Sequence, residues 1–484
     1  MTSVLCRYFN VVLIVIIFKF AVSIRECRAV SSESTPLYLR SAYPLWEPQG
    51  DSPNSGERLL LTPYLNRGKI EEARKVAKVG PGLFSEQIPS YSGYFTIDKS
   101  YNSNLFFWFF PSQNGTVDSP LILWLQGGPG ASSLYGLFEE VGPFKCHIDS
   151  EGGNYTLKRN PYSWNINHSM LFIDNPVGTG YSYTDHNDGY ATNQTTVAKH
   201  LFNALKQFFK MFPEYRDTDF YIAGESFAGK YVPSLAHYIH EENAGTGPFY
   251  INLKGIVIGN GFTDPETMMA YSEYTYQLGL IDLKAKNEML KLENQGKKAI
   301  QDKHYIDAFY SWSGILSIFI SESQFQSLYN VLNDRWTWNP SKQYVSYVQT
   351  PEIRRALHVG DVEFTSLGVV YYKMIPDFMS GVRSSLDMVL KHYKVLFYSG
   401  QFDVICAYPL TVNFLNSVHF EGSVEYKKAR RRPWFVNGKL AGYVKSSGNF
   451  SEILVRNAGH MVPYDQPEWA LDMISRFTSN RGFD

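Results

Sequence analysis

The stretch that decides the fold is Gly224-Glu225-Ser226-Phe227-Ala228-Gly229, which directly follows the apolar residues 220–223. Residues 220–223 have the length and composition of a buried strand, and residues 230–240 have a helical pattern. A serine between them lies at a sharp strand-to-helix turn, which requires small neighbours such as Gly224 and Ala228. The pattern predicts a nucleophilic Ser226, and an ordinary Gly/Ser turn is the alternative.

Further short apolar runs on both sides of this turn predict more strands of the same sheet. They cover residues 121–125, 170–174, 255–259, 395–398 and 453–456, and residues 91–98 and 105–110 predict a hairpin before them. Between two of these runs, residues 195–212 have a helical apolar stripe that Pro213 ends. Strands that alternate with helices predict an α/β protein. With the serine turn, we expect the α/β-hydrolase fold, with a mostly parallel, doubly wound sheet.

The chain is expected to contain one hydrolase core with a helical insertion. From about residue 264 to 376 the strand pattern stops, and charged helical patterns and aromatic-rich pieces predict an inserted helical cap. The core is therefore expected in two parts, 81–263 and 377–484. Residues 24–80 carry Pro, Gly, Ser and mixed charge, and they predict an N-terminal arm or a propeptide-like segment.

Residues 1–23 have the pattern of a secretory signal peptide. Arg7 precedes an apolar run over residues 11–18, and the small residues Ala21 and Ser23 follow. A membrane anchor is the alternative, but the run is much shorter than the roughly 20 residues that a span requires, and no later segment is long and apolar enough. Five sequons predict N-glycosylation at Asn114, Asn154, Asn167, Asn193 and Asn449. We therefore expect a glycoprotein of the secretory pathway, secreted or lysosomal.

Composition excludes several classes of protein. The 484 residues carry 45 basic and 46 acidic side chains, a net charge of −1, so there is no electrostatic footprint for nucleic acid. A hydrophobic fraction of 44% is too high for a disordered chain, and four Cys are too few for a disulfide-stapled scaffold. Since no metal-ligand spacing, dinucleotide fingerprint or phosphate loop is found, neither metal nor cofactor is expected.

A nucleophilic serine needs a base and an acid that orients the base, and in this fold class they follow in the order Ser, Asp or Glu, His. Asp403 follows the predicted strand 395–398, and His460 follows the strand 453–456. Both lie in Gly-containing loops at strand carboxyl ends, where α/β sheets bind ligands. Other candidates for the acid or base lack that combination: Asp264, His358 and His392. We therefore predict a triad of Ser226, Asp403 and His460.

A Gly-rich loop, Trp124-Leu125-Gln126-Gly127-Gly128-Pro129-Gly130, follows the strand 121–125. Backbone N–H groups in such a loop can stabilise a developing oxyanion. The expected donors are the N–H groups of Gly128 and of Phe227, the residue after the nucleophile. A tight turn without a catalytic role is the alternative.

In these residues the chain resembles the serine carboxypeptidase family. The resemblance covers residues 85 to 477 and is carried by five motifs: Trp124–Gly130 with Ser132-Ser133, Asp174-Asn175-Pro176-Val177-Gly178-Thr179-Gly180-Tyr181-Ser182, Gly224–Gly229, Gly400–Cys406 and Ala458–Pro463. Gln126 and residues 101–111 and 212–215 resemble its vitellogenic-like members most.

The resemblance implies release of single residues from peptide C-termini through an acyl-enzyme, best at acidic pH. It implies Ser226 as nucleophile, His460 as general base and acid, Asp403 as the orienting group, and Gly128 and Phe227 as oxyanion donors. It further implies a site for the substrate carboxylate formed by Trp124, Gln126, Gly127 and Glu225.

Glu225 beside a substrate carboxylate would be a pair of like charges, so one of the two must hold a proton. This predicts tighter substrate binding as the pH falls. A residue that only supports the serine turn is the alternative for Glu225.

The chain departs from the family pattern at several positions. Gln126 stands where many members have Asn, and Ala131 where many have Cys; the insertion has no Cys, so the usual disulfides are absent. Two other functions remain open: an acyltransferase on the same scaffold, or a binding or protective protein without turnover. The intact triad and the carboxylate site favour the peptidase.

Overall fold

The computed structural model describes residues 55–80, 88–116, 118–148, 155–245, 247, 249–325, 327–333 and 341–483. In this part of the chain ten strands form one sheet and two more form a separate hairpin, β4 with β5. The strands are β1 Tyr91–Asp98, β2 Ser103–Phe110, β3 Leu121–Leu125, β4 Phe144–Ile148, β5 Tyr155–Arg159, β6 Ser169–Ile173, β7 Phe220–Glu225, β8 Leu253–Gly259, β9 Lys394–Gly400, β10 Arg432–Val436, β11 Lys439–Ser447 and β12 Phe450–Val455.

The large sheet has the order β1-β2-β6-β3-β7-β8-β9-β12-β11-β10. Its centre, from β6 to β12, is parallel, and antiparallel strands extend it at both edges. The central strands are buried along almost their whole length, because helices cover both faces of a doubly wound sheet. This architecture confirms the predicted α/β-hydrolase fold.

Register aligns the carboxyl ends of the central strands at one edge. Leu125 of β3 pairs with Gly224 of β7, Glu225 of β7 with Gly259 of β8, and Gly259 with Tyr398 of β9. Strand β12 pairs with β9 as far as Gly400. The loops that follow these five strands therefore emerge side by side, and they carry the residues predicted for catalysis.

The described part of the chain also contains α-helices of 4 to 19 residues. They are α1 Thr62–Asn66, α2 Ile70–Ala77, α3 Gln194–Met211, α4 Ala228–Ala244, α5 Pro265–Met268, α6 Tyr271–Gln277, α7 Leu283–Gln301, α8 Tyr305–Ser323, α9 Ser341–Val348, α10 Pro351–Ala356, α11 Gly368–Phe378, α12 Arg383–His392, α13 Tyr408–Ser417, α14 Ser423–Lys428, α15 Val462–Asp465 and α16 Pro467–Thr478. The described residues of the stretch predicted as an insertion, 264–376, contain helices α5 to α11 and no strand, and α11 runs two residues past the expected end at 376.

The predicted helix over residues 195–212 corresponds to α3. The side chain of Asn193 begins this helix, because its Oδ1 accepts a hydrogen bond from the Thr196 N–H at 2.9 Å. The buried side of α3 carries the expected apolar stripe, including Leu201, Leu205 and Phe208. Helix α4 begins at Ala228, immediately after the serine turn.

The described half of the expected N-terminal arm is part of the folded body. Leu65 on α1, Ala73 and Ala77 on α2, and Leu61, which precedes α1, are completely or almost completely buried. These helices have five and eight residues, which is too short for a helical apolar pattern to stand out in the sequence. The predicted signal peptide and residues 24–54 lie outside the described residues.

Three of the predicted glycosylation sites, Asn114, Asn193 and Asn449, are exposed, while Asn167 is half-buried. Asn154 lies outside the described residues. Cys146 and Cys406 are buried and unpaired. Among the described residues, no helix has the length and apolarity for a membrane span, and no cluster of three or more His, Cys, Asp or Glu residues is placed to hold a metal ion.

Candidate active site

Ser226 directly follows strand β7 and has a left-handed backbone conformation, with φ of +62°. This conformation is unfavourable for a residue with a Cβ, and three backbone hydrogen bonds hold it. The Ser226 N–H donates to Gly259 O at 3.0 Å, and Ser226 O accepts from Gly229 N and Phe262 N, both at 2.9 Å. The side chain is half-buried. The turn therefore presents the hydroxyl at the carboxyl edge of the sheet.

The small residues around Ser226 are required by the tightness of this turn. A Cβ on Gly224 would come within 2.7 Å of both the Ala228 Cβ and the Leu125 carbonyl oxygen. Helix α4 and strand β3 thus approach the end of β7 too closely for any larger side chain there. This is the requirement that the sequence pattern indicated.

Asp403 and His460 form a completely buried pair. The Nδ1 of His460 lies 2.7 Å from Asp403 Oδ2, and both side chains have zero exposure. An ionised carboxylate only accepts hydrogen bonds, so the proton belongs on Nδ1 and the lone pair on Nε2. His460 Nε2 is buried and has no hydrogen-bond partner in the described part of the chain. It is therefore available to take a proton from a reacting group.

Asp403 and His460 are thus in direct contact. Ser226 lies at the same edge of the sheet, but it has no hydrogen bond to His460 Nε2. Hydrogen bonds between a nucleophile and its base are often long in an unliganded site and shorten when substrate binds.

Asn260 is a member of this site that the sequence analysis missed. It follows β8, is completely buried, and donates from Nδ2 to Asp403 Oδ2 at 2.7 Å. Its own Oδ1 accepts from the Gly400 N–H at 3.3 Å, and the Cys406 N–H donates to Asp403 Oδ1 at 3.3 Å. These contacts fix the Asp403 carboxylate. The same strand-end rule that found Asp403 could have found Asn260.

The His460 loop is held from two directions. The His460 N–H donates to Tyr329 O at 2.6 Å, and the two rings meet edge to face with centroids 5.0 Å apart. Asp465 Oδ2 accepts from the Gly459 N–H at 2.7 Å and from Asn330 Nδ2 at 3.1 Å. The imidazole is therefore fixed by backbone contacts and by its bond to Asp403.

The Gly-rich loop after β3 rests directly on the serine turn. A Cβ on Gly127 would lie 2.6 Å from Phe227 N and 2.7 Å from Glu225 O. Gly128 has a φ of +106°, which favours glycine. The two residues expected to supply oxyanion donors, Gly128 and Phe227, are thus on backbone segments in contact.

Gly127→Ala is expected to damage both activity and stability. The new methyl group would force the loop and the serine turn apart, and such overpacking destabilises a protein by about 1–3 kcal/mol. Urea unfolding and kcat measure the two effects. Gly80→Ala is the control, because a Cβ on Gly80 meets nothing within 4 Å. If the two variants behave alike, the loop does not rest on the turn as described.

A second buried cluster joins Gln126 to two carboxyl groups. The Gln126 Nε2 donates to Glu225 Oε1 at 3.0 Å and to Glu140 Oε1 at 3.2 Å. The Trp124 Nε1–H donates to Gln126 Oε1 at 2.8 Å, which orients the amide. Glu225 Oε2 and Glu140 Oε2 are buried without a hydrogen-bond partner among the described residues. Polar groups are available here for a further hydrogen-bonding ligand.

The electrostatics of this cluster favour protonated carboxyl groups. Burial raises the pKa of Glu225 well above its usual range, and the charge of Glu140 adds to this effect. Burial also raises the pKa of Glu140 to about 7, although hydrogen bonds from its neighbours lower it. The pair therefore holds protons in mildly acidic solution. Sequence reasoning missed Glu140, which lies in a helical turn over Gly136–Glu140 that no motif marks.

Comparison with known proteins shows the family of this chain. A family model described as serine carboxypeptidase matches residues 81–480. The chain belongs to the serine carboxypeptidase family. It is 46% identical to the venom serine carboxypeptidase of Apis mellifera, over 89% of this chain and 92% of the bee protein. It is 44% identical to the vitellogenic carboxypeptidase of Aedes aegypti, over 88% of this chain and 90% of the mosquito protein.

The fold of this serine carboxypeptidase is also that of a solved structure. A prohormone-processing carboxypeptidase from Saccharomyces cerevisiae superimposes with a TM-score of 0.74 at 24% identity, over 84% of this chain and 96% of the yeast chain. The similarity shows that the two chains share the same fold. The predicted family and enzyme class are thus confirmed.

Proposed function

We propose that this serine carboxypeptidase releases single C-terminal residues from peptides and proteins through an acyl-enzyme. Ser226 is the nucleophile, His460 the general base and acid, and Asp403 the residue that orients His460. The observation that carries the proposal is the buried Asp403–His460 pair at 2.7 Å with a free Nε2, at the edge of the sheet where Ser226 is presented.

The reaction has two halves. Ser226 Oγ attacks the carbonyl carbon of the last peptide bond while its proton passes to His460 Nε2. The C–N bond then breaks, Nε2 returns the proton to the leaving amine, and the terminal residue departs. Water attacks the remaining ester with His460 again as base, which releases the shortened peptide and restores Ser226. The N–H groups of Gly128 and Phe227 stabilise the oxyanion in both halves.

The buried cluster next to Ser226 explains why the enzyme attacks the last peptide bond of its substrate. We assign the substrate carboxylate to Gln126, Glu225 and Glu140, supported by Trp124 and the Gly127 backbone. Glu225 is adjacent in sequence to Ser226, and its Oε2 and Glu140 Oε2 lack other partners in the described residues. A protonated carboxyl group can donate a hydrogen bond to the substrate carboxylate, whereas an ionised one repels it. Binding is therefore strongest at acidic pH.

The direction in which substrate binding changes with pH follows from the two carboxyl groups. Both have a raised pKa, that of Glu140 to about 7, so the protonated pair persists through mild acid and is lost as the pH rises above neutrality. His460 must be neutral to act as base, which limits activity at the lowest pH. The two requirements together give a maximum in mildly acidic solution.

The experiment that tests this function compares a blocked dipeptide with its C-terminal amide, using purified protein at mildly acidic and neutral pH. Release of the terminal residue is expected to be much faster from the free acid than from the amide, with no detectable release by Ser226→Ala. Failure to cleave either compound contradicts the peptidase proposal. Equal cleavage of both contradicts the carboxylate site alone, and transfer of the acyl group to an added alcohol or amine in place of water would favour the acyltransferase.

We also propose that the protein enters the secretory pathway and is secreted or lysosomal. The support is the N-terminal signal pattern together with the exposure of Asn114, Asn193 and Asn449. Expression of the full chain in insect or mammalian cells, followed by N-glycosidase treatment, is expected to show a loss of mass at these sequons. An unglycosylated protein confined to the cytosol would contradict this location.

A further inference from the structure

A polar cavity of about 360 Å³ lies away from the triad, between the start of α3, the middle of α4 and the segment that joins α11 to α12. Its volume is at the small end of the range for ligand sites. The residues used below are Asn193 and Gln194 of α3, His237, Tyr238 and Glu241 of α4, and Asp377 and Ser384 from the α11–α12 side. None of them has a part in the proposed reaction.

Gln194 is the unexplained group in this cavity. Its side chain lines the cavity although the residue is only 7% exposed. The Nε2 donates to Asp377 Oδ2 at 2.8 Å, but the Oε1 is buried and has no hydrogen-bond partner in the described residues. Buried polar atoms almost always have a partner. An occupant of the cavity that donates a hydrogen bond to Oε1 would supply it.

The charges around the cavity exclude an anion as the natural occupant. Two helix N-termini face it, which alone would attract negative charge. Asp377 and Glu241 also line the cavity, however, and His237 contacts Glu241 at 3.5 Å. A neutral group with several hydroxyls suits this mixture of donors and acceptors. The ring of Tyr238 adds an apolar face of the kind that packs on a sugar.

The rim of the cavity carries a sequon. Asn193, Gln194 and Thr195 all line it, and Asn193 is exposed. Since the Asn193 Oδ1 is used to cap α3, its Nδ2 remains for a glycan. We propose that the N-linked glycan of Asn193 folds back and that its first sugar occupies this cavity. This inference rests on the proposed entry into the secretory pathway and is independent of the enzymatic reaction.

The covalent step is ordinary N-glycosylation. Nδ2 loses one proton and forms a bond to C1 of N-acetylglucosamine, while the diphosphate lipid of the oligosaccharide donor leaves with the bonding electrons; no redox change occurs. Once attached, the sugar is tethered beside its site, so a weak intrinsic affinity suffices for occupancy. Its hydroxyls donate to Gln194 Oε1 and to Asp377.

A sugar bound in the cavity would stabilise the position of α4, the helix that follows the nucleophile. The carbonyl oxygens of Asp377 and Ser380 accept hydrogen bonds from the buried Lys230 Nζ of α4, at 3.1 and 2.7 Å. The Asn193 sugar would therefore connect α3 to the segment that holds Lys230. We expect the glycan at this site to contribute to stability, in contrast to a glycan that extends into solvent.

The test uses the full chain secreted from eukaryotic cells and a peptide-N-glycosidase, with release at each site followed by mass spectrometry. In the folded protein, the glycosidase is expected to release the Asn193 glycan about tenfold more slowly than the Asn449 glycan. A factor of ten corresponds to a free energy of about 1.4 kcal/mol for binding of the sugar in the cavity. After denaturation the two rates should be equal. Equal rates in the folded protein, or an unoccupied Asn193 when Asn449 is glycosylated, would overturn the proposal.

Ser384→Trp places a bulky ring at the mouth of the cavity and leaves the sequon intact. It is expected to raise the release rate at Asn193 to that at Asn449, while Ser384→Ala keeps the slow release. Slow release that persists in the folded Ser384→Trp protein would show that the cavity is not the cause.

A second pair of variants removes whole glycans in case Ser384→Trp does not fold. Thr195→Ala abolishes the sequon and retains Asn193 as the helix cap; it should lower Tm by about 2 °C relative to Thr195→Ser. Asn449→Gln, which removes the other sequon at an exposed side chain, should leave Tm unchanged. Equal effects of the two removals would contradict a docked glycan at Asn193.

Discussion

Replacing Ser226 by alanine is expected to lower kcat/KM for peptide hydrolysis by about 10⁴- to 10⁶-fold, because the nucleophile of the proposed acyl-enzyme is lost. The remaining rate would come from binding and the oxyanion donors alone. The fold should be unaffected, since the contacts that hold Ser226 are made by its backbone. Steady-state kinetics with a blocked dipeptide measures the loss.

Ser226→Gly separates the catalytic role from the backbone role. It should be as inactive as Ser226→Ala but more stable than the wild type by about 1 kcal/mol, because glycine adopts a φ of +62° without the strain that a Cβ causes. Chemical denaturation measures this gain. Substantial activity in either variant would mean that another group is the nucleophile.

Asp403→Asn is expected to lower kcat by about 10⁴-fold while the protein remains folded. The Asp403 Oδ2 now accepts from both His460 Nδ1 and Asn260 Nδ2, each at 2.7 Å. Asp403 Oδ1 also accepts from the Cys406 N–H, so the Nδ2 of an asparagine must face at least one of these donors, and it cannot accept a hydrogen bond. Where Nδ2 faces the imidazole, His460 is driven toward the tautomer with its proton on Nε2. In that tautomer Nε2 cannot take the proton of Ser226.

Asp465→Asn is the matched control for this argument. Asp465 also accepts hydrogen bonds beside His460, from Gly459 N–H and Asn330 Nδ2, and these are partly buried; it has no hydrogen bond to the imidazole. An asparagine can keep the bond to Gly459 through its Oδ1, so we expect less than about a tenfold effect. If both substitutions reduced kcat equally, loss of a nearby charge rather than the tautomer of His460 would explain the result.

The sheet was predictable wherever strands are buried on both faces. Strand β3 and strand β1 agree with the predicted bounds, and the ends of the other central strands differ by a few residues, because an apolar run does not show where pairing stops. Strands β10 and β11 were not predicted. They lie at the sheet edge, where polar and apolar residues are mixed and Pro433 and Gly442 weaken the strand pattern.

The site was predictable to the extent that it follows from strand ends. Ser226, Asp403 and His460 each follow a strand whose apolar run is clear in the sequence. Glu140 could not be found this way, because its position opposite Glu225 depends on the path of a helical turn after the Gly-rich loop. The buried Lys230 and the cavity around Gln194 depend on tertiary packing, which no local pattern encodes.

The central claim, that a protonated carboxyl pair binds the C-terminal carboxylate, is tested most directly by the pH dependence of KM. Between about pH 5 and pH 8, KM for a free-acid peptide should rise by up to about tenfold per pH unit once the pH exceeds the Glu140 pKa of about 7. KM for the C-terminal amide should stay constant, and Glu140→Gln should weaken the rise. A KM for the free acid that does not change over this range, or one that rises equally for the amide, would contradict the account.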